Sequence, residues 1–170
     1  YTSLGANTTG DRNVALGSYA LAANTVGDRN IAIGMGALNA FNPASNADTY
    51  NTAIGYDAGN DITTGIHNTF VGGKAGTEST TGTNNTALGI YSMGGAVSTG
   101  DNNTGLGYAA LYELTSGSNN TALGRDAGRA GSPSGSITTG SNILVLGDDA
   151  VANAYIQVDW TVASDARDKT

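Results

Sequence analysis

The sequence predicts an all-β fold, a parallel β-solenoid or β-roll of about eight repeats, and three observations support this prediction. A five-residue string, Asn-x-small-aliphatic-Gly, recurs along the chain, first at Asn13–Gly17 and next at Asn30–Gly34. The base interval between successive strings is 17 residues, and two longer intervals carry insertions. Gly, Asn and Thr, all weak helix formers, dominate a composition with 26 Gly and only two Phe. A disordered glycine-rich linker would not keep this phase, so the period predicts regular structure.

Each string is predicted to form a short strand whose side chains alternate between two faces. A unit of this length has no interior of its own, so successive units must stack at about 4.8 Å with like residues above like. Stacked asparagine amides can bond each other and the neighbouring backbone. The predicted amide ladder comprises Asn13, Asn30, Asn51, Asn68, Asn85, Asn103, Asn120 and Asn142. The predicted aliphatic ladder comprises Leu16, Ile33, Ile54, Val71, Leu88, Leu106, Leu123 and Leu146.

A second string follows each first one at a fixed offset, with a small residue before Leu, Gly or Met, as in Ala20–Leu21 and Ala58–Gly59. It is predicted to form a second, shorter strand. A turn that ends in glycine three residues before the next asparagine, as at Gly65, closes the unit. Thr2–Gly5 is interpreted as a partial copy of the first string.

The middle residue of the first string faces away from the aliphatic ladder and is small in most repeats, with Phe70 and Val145 as exceptions. Small residues in register indicate that something packs closely against them. Either the opposite wall of a narrow coil or a neighbouring chain would satisfy this pattern, and the sequence favours neither.

Two insertions, Phe41–Tyr50 and Ala130–Thr138, contain both prolines of the chain. Insertions in solenoids emerge as loops on one face, often the binding face. They are interpreted either as receptor-contacting loops or as surface loops that the fold tolerates. The candidate contact residues are Phe41, Asn42, Asn46, Tyr50 and Ser134.

Composition and charge exclude several classes of function. The formal net charge is −7 and no cluster of Lys or Arg occurs, which argues against nucleic acid or an anionic membrane surface as partner. The chain has no cysteine for a disulfide or a zinc thiolate site, and no apolar run long enough to span a bilayer. His67, the only histidine, is interpreted as an exposed turn residue. We therefore expect no cofactor, no metal site, no membrane insertion and no enzyme activity from the repeats.

The string Asn-x-Ala-(Leu/Ile)-Gly, followed by Ala-Leu and a Thr-x-Gly turn, resembles the head repeat of trimeric autotransporter adhesins. It also resembles the repeat region of phage tail fibres and of bacterial tail-fibre-like surface proteins. The resemblance covers Thr2 to about Val151, although the unit is longer than the usual adhesin head repeat. It implies a homotrimeric fibre on a virion or at a cell surface.

The expected domain organisation is a repeat shaft over residues 1–151, a cap and connector strand over 152–163, and a junction over 164–170. The run Ser-Asp-Ala-Arg-Asp-Lys within the last segment resembles the start of the intramolecular chaperone domain of endosialidase-type tailspikes and tail fibres. That resemblance implies that Ser164 and Lys169 take part in a single-turnover self-cleavage.

The predicted function is therefore a structural and adhesive segment of a trimeric fibre, with a cell-surface receptor or glycan as its candidate partner. The alternative is a monomeric ligand-binding or ice-binding β-solenoid, favoured by a row of threonines that Val14, Ile31 and Ile143 interrupt. A polysaccharide-degrading tailspike is disfavoured because no carboxylates converge on neighbouring repeats. The threonine row comprises Thr52, Thr69, Thr86, Thr104 and Thr121.

Overall fold

The computed structural model shows a parallel β-solenoid and describes residues 2–45, 47–132, 134–148 and 150–151. Within these residues there is no helix, and eight strands form one sheet whose spatial order is the chain order. The predicted fold class is confirmed. The strands are β1 (Val14–Leu16), β2 (Ile31–Ile33), β3 (Thr52–Ile54), β4 (Thr69–Val71), β5 (Thr86–Leu88), β6 (Thr104–Leu106), β7 (Thr121–Leu123) and β8 (Leu144–Leu146).

Each strand pairs in parallel with the next, and the register places like positions above one another. Leu16 pairs with Ile33 at one end of the sheet, and Leu123 pairs with Leu146 at the other. Each strand contacts only the strands before and after it. We call the residues from one strand to the next a coil, and each coil contacts the coils before and after it.

The segment after each strand is a series of turns and not the predicted second strand. In the coil of β1, Tyr19 and Leu21 have φ values of 63° and 50°, which an extended strand cannot adopt. The N–H of Ala22 donates to the Tyr19 carbonyl within the coil at 3.3 Å, and the Leu21 N–H donates to Ala37 of the next coil at 3.0 Å. The sequence carried a sign of this, because Gly59 stands where other coils have Leu, and its φ is also positive at 57°.

Thr2–Gly5 belongs to this turn segment, so its interpretation as a copy of the first string is wrong. The Leu4 N–H donates to the Ala20 carbonyl at 3.0 Å, as the Leu21 N–H does to Ala37 one coil later. Leu4 and Leu21 also share a φ of 50°. The letters Leu-Gly suggested a strand end, whereas the 17-residue spacing between the two leucines gives the correct alignment.

In several coils the interior is filled by a strand residue and a turn residue of complementary size. Ala87 of β5 and Met93, six residues later, lie in one buried cluster. In the coil of β4 the sizes are exchanged, because the turn supplies Gly76 and the strand supplies Phe70. A Cβ on Gly76 would lie 2.7 Å from the Phe70 ring, so the ring occupies the space that a larger turn residue takes elsewhere. Close packing is thus kept while individual positions vary.

This packing decides between the two interpretations of the small middle residues. Ala32, Ala53, Ala87 and Ala122 have no exposed surface in the single chain. They therefore pack against the opposite wall of their own coil and not against a neighbouring chain. Because side chains alternate along a strand, the first and third residues of every strand point outward.

Candidate functional site

The asparagines of the repeat form a hydrogen-bonded row that runs along the solenoid. The backbone N–H of Asn103 donates to Asn85 Oδ1 at 2.9 Å, and its own Oδ1 accepts from the Asn120 N–H at 3.0 Å. Its Nδ2 donates to the Gly117 carbonyl at 2.9 Å. Both ends of a buried amide are thereby satisfied, as burial of a polar group requires. The row comprises Asn13, Asn30, Asn51, Asn68, Asn85, Asn103 and Asn120.

Asn142 does not belong to this row, contrary to the sequence prediction. The N–H that donates to Asn120 Oδ1, at 3.0 Å, is that of Ile143, and Leu144 pairs with Thr121. Asn142 has a φ of 61° and matches Asn119, whose φ is 59°. The pairing of the aliphatic strand residues sets the register here, so Asn142 lies one position before the row of asparagines. For the same reason Leu144, and not Ile143, is the residue next to Thr121 in the threonine row.

The outward side chains of the eight strands form a continuous face, which we call the outer face. Its third-position row is aliphatic throughout, and Leu16 and Leu88 are 66% and 44% exposed. Its first-position row contains the five threonines, flanked by Val14 and Ile31 at one end and Leu144 at the other. Seven strand spacings give this face a length of about 34 Å. Exposed apolar surface that is contiguous over such a length is typical of an interaction site.

The candidate loop residues do not form one site. Phe41 is fully buried and lies in the core cluster, so its prediction as a receptor contact is wrong. Asn42 is exposed but its Oδ1 accepts from the Thr25 hydroxyl at 2.7 Å, and Ser134 is hydrogen-bonded to Ser132 at 3.0 Å. The first loop follows β2 and the second follows β7, five strand spacings or about 24 Å away along the axis.

Tyr50 is half-exposed and lies beside an ion pair. Its ring centroid is 5.6 Å from the Arg29 guanidinium carbon and 5.9 Å from the centroid of the exposed His67 ring. Arg29 forms an ion pair with Asp48, and the hydrogen bond from Arg29 lowers the pKa of the Asp48 carboxyl. Because the pair is solvent-exposed, its contribution to stability is small and decreases with salt.

Three sequence predictions fall on residues that the structure leaves undescribed. Asn46 lies in the first loop, whereas Ser164 and Lys169 lie beyond residue 151, as does the connector over 152–163. In the described part of the chain, no helix is long and apolar enough to cross a membrane. Across the same residues, no group of three or more His, Cys, Asp or Glu side chains is placed to hold a metal ion.

A row of aromatic and cationic side chains along one edge of the solenoid was not anticipated from the sequence. The Lys74 ammonium nitrogen lies 5.9 Å from the centroid of Tyr56 and 6.0 Å from that of Tyr91. Tyr91 contacts Tyr108 and Tyr112, and Arg129 lies over Tyr112. A partial signal was present at the two positions after the strand glycine, which hold four of these side chains. The other two, Tyr112 and Arg129, lie five residues after that glycine. We call this row the aromatic edge, comprising Tyr56, Lys74, Tyr91, Tyr108, Tyr112 and Arg129.

Replacement of Asp61 by asparagine is expected to stabilise the protein slightly at pH 7. Partial burial, reinforced by the charge of Asp57, raises the pKa of the Asp61 carboxyl. The unfolded state therefore ionises first as pH rises, and the folded state loses stability above about pH 4. We expect a gain of less than about 1 kcal/mol at pH 7, since water screens the group. The gain should disappear near pH 3 in urea titrations, and a loss of stability at pH 7 would contradict this account.

Comparisons with protein-family models, with curated proteins and with solved structures gave no match for this chain. The geometry of the surface is therefore what bears on function. Two features of the described surface extend over several coils: the outer face, with its aliphatic and threonine rows, and the aromatic edge. The first spans all eight strands, and the second runs from the coil of β3 to that of β7.

Proposed function

We propose that this chain is a structural and adhesive segment of a homotrimeric fibre, carried on a virion or at a cell surface and supporting attachment. The observation that carries the proposal is the uninterrupted aliphatic row of the outer face. In a single chain this row stays in water, at a cost of about 25 cal/mol for each Å² of apolar surface. Association with further copies of the same chain would remove it from water in every coil at once.

Other copies of this chain fit the outer face better than an unlike partner does. The row repeats at the strand spacing along the whole sheet, so copies that lie side by side in parallel present the same spacing to each other. Closed rotational symmetry then covers the face of every copy without leaving an open end. The number three comes from the resemblance to trimeric adhesin heads and tail fibres.

The backbone of the solenoid suits a fibre that must hold its shape. Each coil is bonded to the next through a parallel strand, the turn segment and the asparagine row. Bending the stack would stretch hydrogen bonds at several points around each coil together. Stiffness therefore follows from the distribution of these bonds around the coil, and a stiff segment can hold an attachment surface away from its base.

The threonine row supports a second candidate function, a monomeric ice-binding solenoid. Thr52, Thr69, Thr86, Thr104 and Thr121 occupy successive strands, in register and pointing outward. Such a row places hydroxyl and methyl groups at regular spacing on a flat sheet. The neighbouring aliphatic row favours the fibre, because the aliphatic row spans all eight strands whereas the threonine row covers only β3 to β7.

Light scattering of the purified chain tests the fibre proposal. We expect a mass three times the chain mass of 16.9 kDa. The double change Leu88→Lys and Leu106→Lys should convert the trimer into monomers, because it places charges in the middle of the aliphatic row that the trimer would bury. Val97→Lys, at an exposed position outside the strands, is the matched control and should leave the mass unchanged.

A wild-type mass equal to one chain, across a hundredfold range of protein concentration, would contradict the trimer. In that case the growth rate and shape of ice crystals in the presence of the protein would test the second candidate. Circular dichroism of the double variant should still show a folded β-protein, since both leucines point away from the interior.

A further inference from the structure

We propose that the aromatic edge, together with the charged pocket beside it, binds an uncharged saccharide chain. This inference deepens the attachment role and rests on that part of the proposed function. It does not depend on the trimer, because every group it uses belongs to one chain.

The first half of the site is a cleft with tyrosine walls. Its volume is about 110 Å³, and it is lined by Tyr91, Tyr108, Ala109, Tyr112 and Arg129. The centroid of the Tyr91 ring lies 6.2 Å from the centroids of the Tyr108 and Tyr112 rings, at interplanar angles of 85° and 79°. Edge-to-face contacts of this kind hold the three rings in fixed orientations, so the surface that they leave exposed is ordered before a ligand arrives. Tyr108 is half-exposed, so the cleft is open to solvent.

The polar half is a pocket of about 240 Å³ that shares Arg129 with the cleft. Nη1 of Arg129 is 2.8 Å from Asp126 Oδ1, and its guanidinium carbon is 4.7 Å from the Tyr112 ring centroid. Nη2 of Arg125 is 2.8 Å from Asp148 Oδ2. Ion pairs and stacking hold these planar groups in place, and Glu113 accepts a hydrogen bond from the Ser136 hydroxyl. The donors and acceptors that line the pocket are therefore ordered before a ligand arrives.

Sugar rings fit this combination of surfaces. One side of a pyranose ring carries outward C–H groups that pack on an aromatic face, while its hydroxyls need both donors and acceptors at the rim. Tyrosine supplies a large, rigid contact surface with few rotatable bonds, and the guanidinium and carboxylate groups supply the donors and acceptors. Pockets that combine apolar walls with a few placed polar groups are typical of small-molecule sites.

The charges of the site point to an uncharged ligand. Two arginines face three carboxylates, those of Glu113, Asp126 and Asp148, which leaves the polar pocket with a formal charge of −1. An anionic sugar or a phosphate is therefore not attracted. A quaternary ammonium group, the usual ligand of an aromatic cage, is disfavoured because Arg129 lines the cleft itself.

The aromatic edge is long enough for several sugar units. Tyr56, Tyr91 and Tyr108 belong to the coils of β3, β5 and β6, with Lys74 between the first two. Successive coils are about 4.8 Å apart at the strands, and the ring centroids of Tyr91 and Tyr108, in successive coils, are 6.2 Å apart. A polysaccharide that lies along the solenoid axis would contact them one after another, whereas a single sugar would fill only the cleft.

The test is affinity electrophoresis of the full chain in gels that contain amylose, dextran, mannan, xyloglucan, polygalacturonate or heparin. We expect at least one of the four neutral polysaccharides to retard the wild-type protein. Calorimetry with a hexasaccharide of the retarding polymer should show at least a tenfold loss of affinity for Tyr91→Ala and for Tyr108→Ala. Tyr50→Ala is the matched control, because it removes a half-exposed ring in the coil of β2, three strand spacings from the coil of β5 where the cleft begins, and it should bind as the wild type does.

Arg129→Lys separates a binding role from a structural one. Lysine keeps the charge but loses the planar fork and the stacking on Tyr112, so affinity should drop severalfold while the melting temperature stays within a few degrees. Retardation by no neutral polysaccharide, or by polygalacturonate or heparin alone, would overturn the proposal.

Light scattering on the same samples keeps this proposal distinct from the fibre. If the Tyr91 and Tyr108 variants lower the particle mass, the edge is a contact between copies and the saccharide site is wrong. If wild-type protein is monomeric and still binds the hexasaccharide, the trimer is wrong and the saccharide site stands.

Discussion

Replacement of Gly72 by alanine is expected to disrupt the solenoid at its centre, with a loss of more than about 4 kcal/mol of unfolding free energy. Gly72 follows β4 with a φ of 132°, in a region that side-chain-bearing residues essentially never occupy. An added Cβ would also lie 2.7 Å from both the carbonyl carbon and the carbonyl oxygen of Gly89 in the next coil. Relief of that overlap requires the two coils to separate, and their separation breaks the pairing of β4 with β5.

Gly73→Ala is the matched control for this change. A Cβ on Gly73 meets no atom within 4 Å, and its φ lies outside the restricted range. We expect it to leave stability unchanged within about 0.5 kcal/mol, or to raise it slightly by restricting the unfolded chain. Urea unfolding followed by circular dichroism distinguishes the two variants. Similar midpoints for both would show that the close approach of Gly72 to Gly89 is not a constraint on the fold.

Asn103→Asp is expected to cost about 3–5 kcal/mol at pH 7, the usual effect of leaving a buried charge without compensation. The amide nitrogen that now donates to the Gly117 carbonyl would be replaced by an oxygen facing it at about the present 2.9 Å. The same nitrogen also donates to Asn85 Oδ1 at 3.2 Å, and that bond would be lost as well. Two acceptors would then face a carboxylate at a position that is fully buried.

Asn102→Asp is the control, one residue earlier and exposed. Its side-chain oxygen accepts from Asn84 Nδ2 at 3.2 Å, a role that a carboxylate retains, and aspartate tolerates the left-handed φ of 59°. We expect a change within about 0.5 kcal/mol.

The pH dependence supplies a second check on Asn103→Asp. Burial raises the folded-state pKa of the introduced carboxyl above about 3.9, so the loss should be smallest below pH 4 and grow as pH rises. A loss that is independent of pH would point to a steric cause and not to charge.

The sequence was sufficient for the fold class because its period is carried by several residue types at once. Glycine after the strand, asparagine before it and an aliphatic residue within it all recur together, and this agreement across positions predicts stacking. The asparagine row from Asn13 to Asn120 and the outward aliphatic row both follow from strand alternation once the coils are stacked in register.

Three features could not be predicted from the repeat alone, because each depends on contacts that exist only after the coils have closed and stacked. The turn segment follows positive φ values at Tyr19 and Leu21, which no propensity for Tyr or Leu indicates. Phe41 is buried because the inner wall needs volume at that point, although it opens an insertion. The aromatic edge joins residues from neighbouring coils; the period marks the position of some of them but does not indicate that their side chains contact one another.

The order of the strands has a mechanical consequence. Because β1 to β8 lie along the axis in chain order, a pull applied across the sheet loads the outermost coil first and leaves the next one intact. Each coil of 17 residues that detaches releases up to about 60 Å of extended chain. Under tension we therefore expect the coils to detach one after another. Each detached coil can pair again, because the next coil keeps its strand exposed as a template. We therefore expect the segment to resist bending, because its bonds are distributed around each coil, and to extend coil by coil only under tension along its axis.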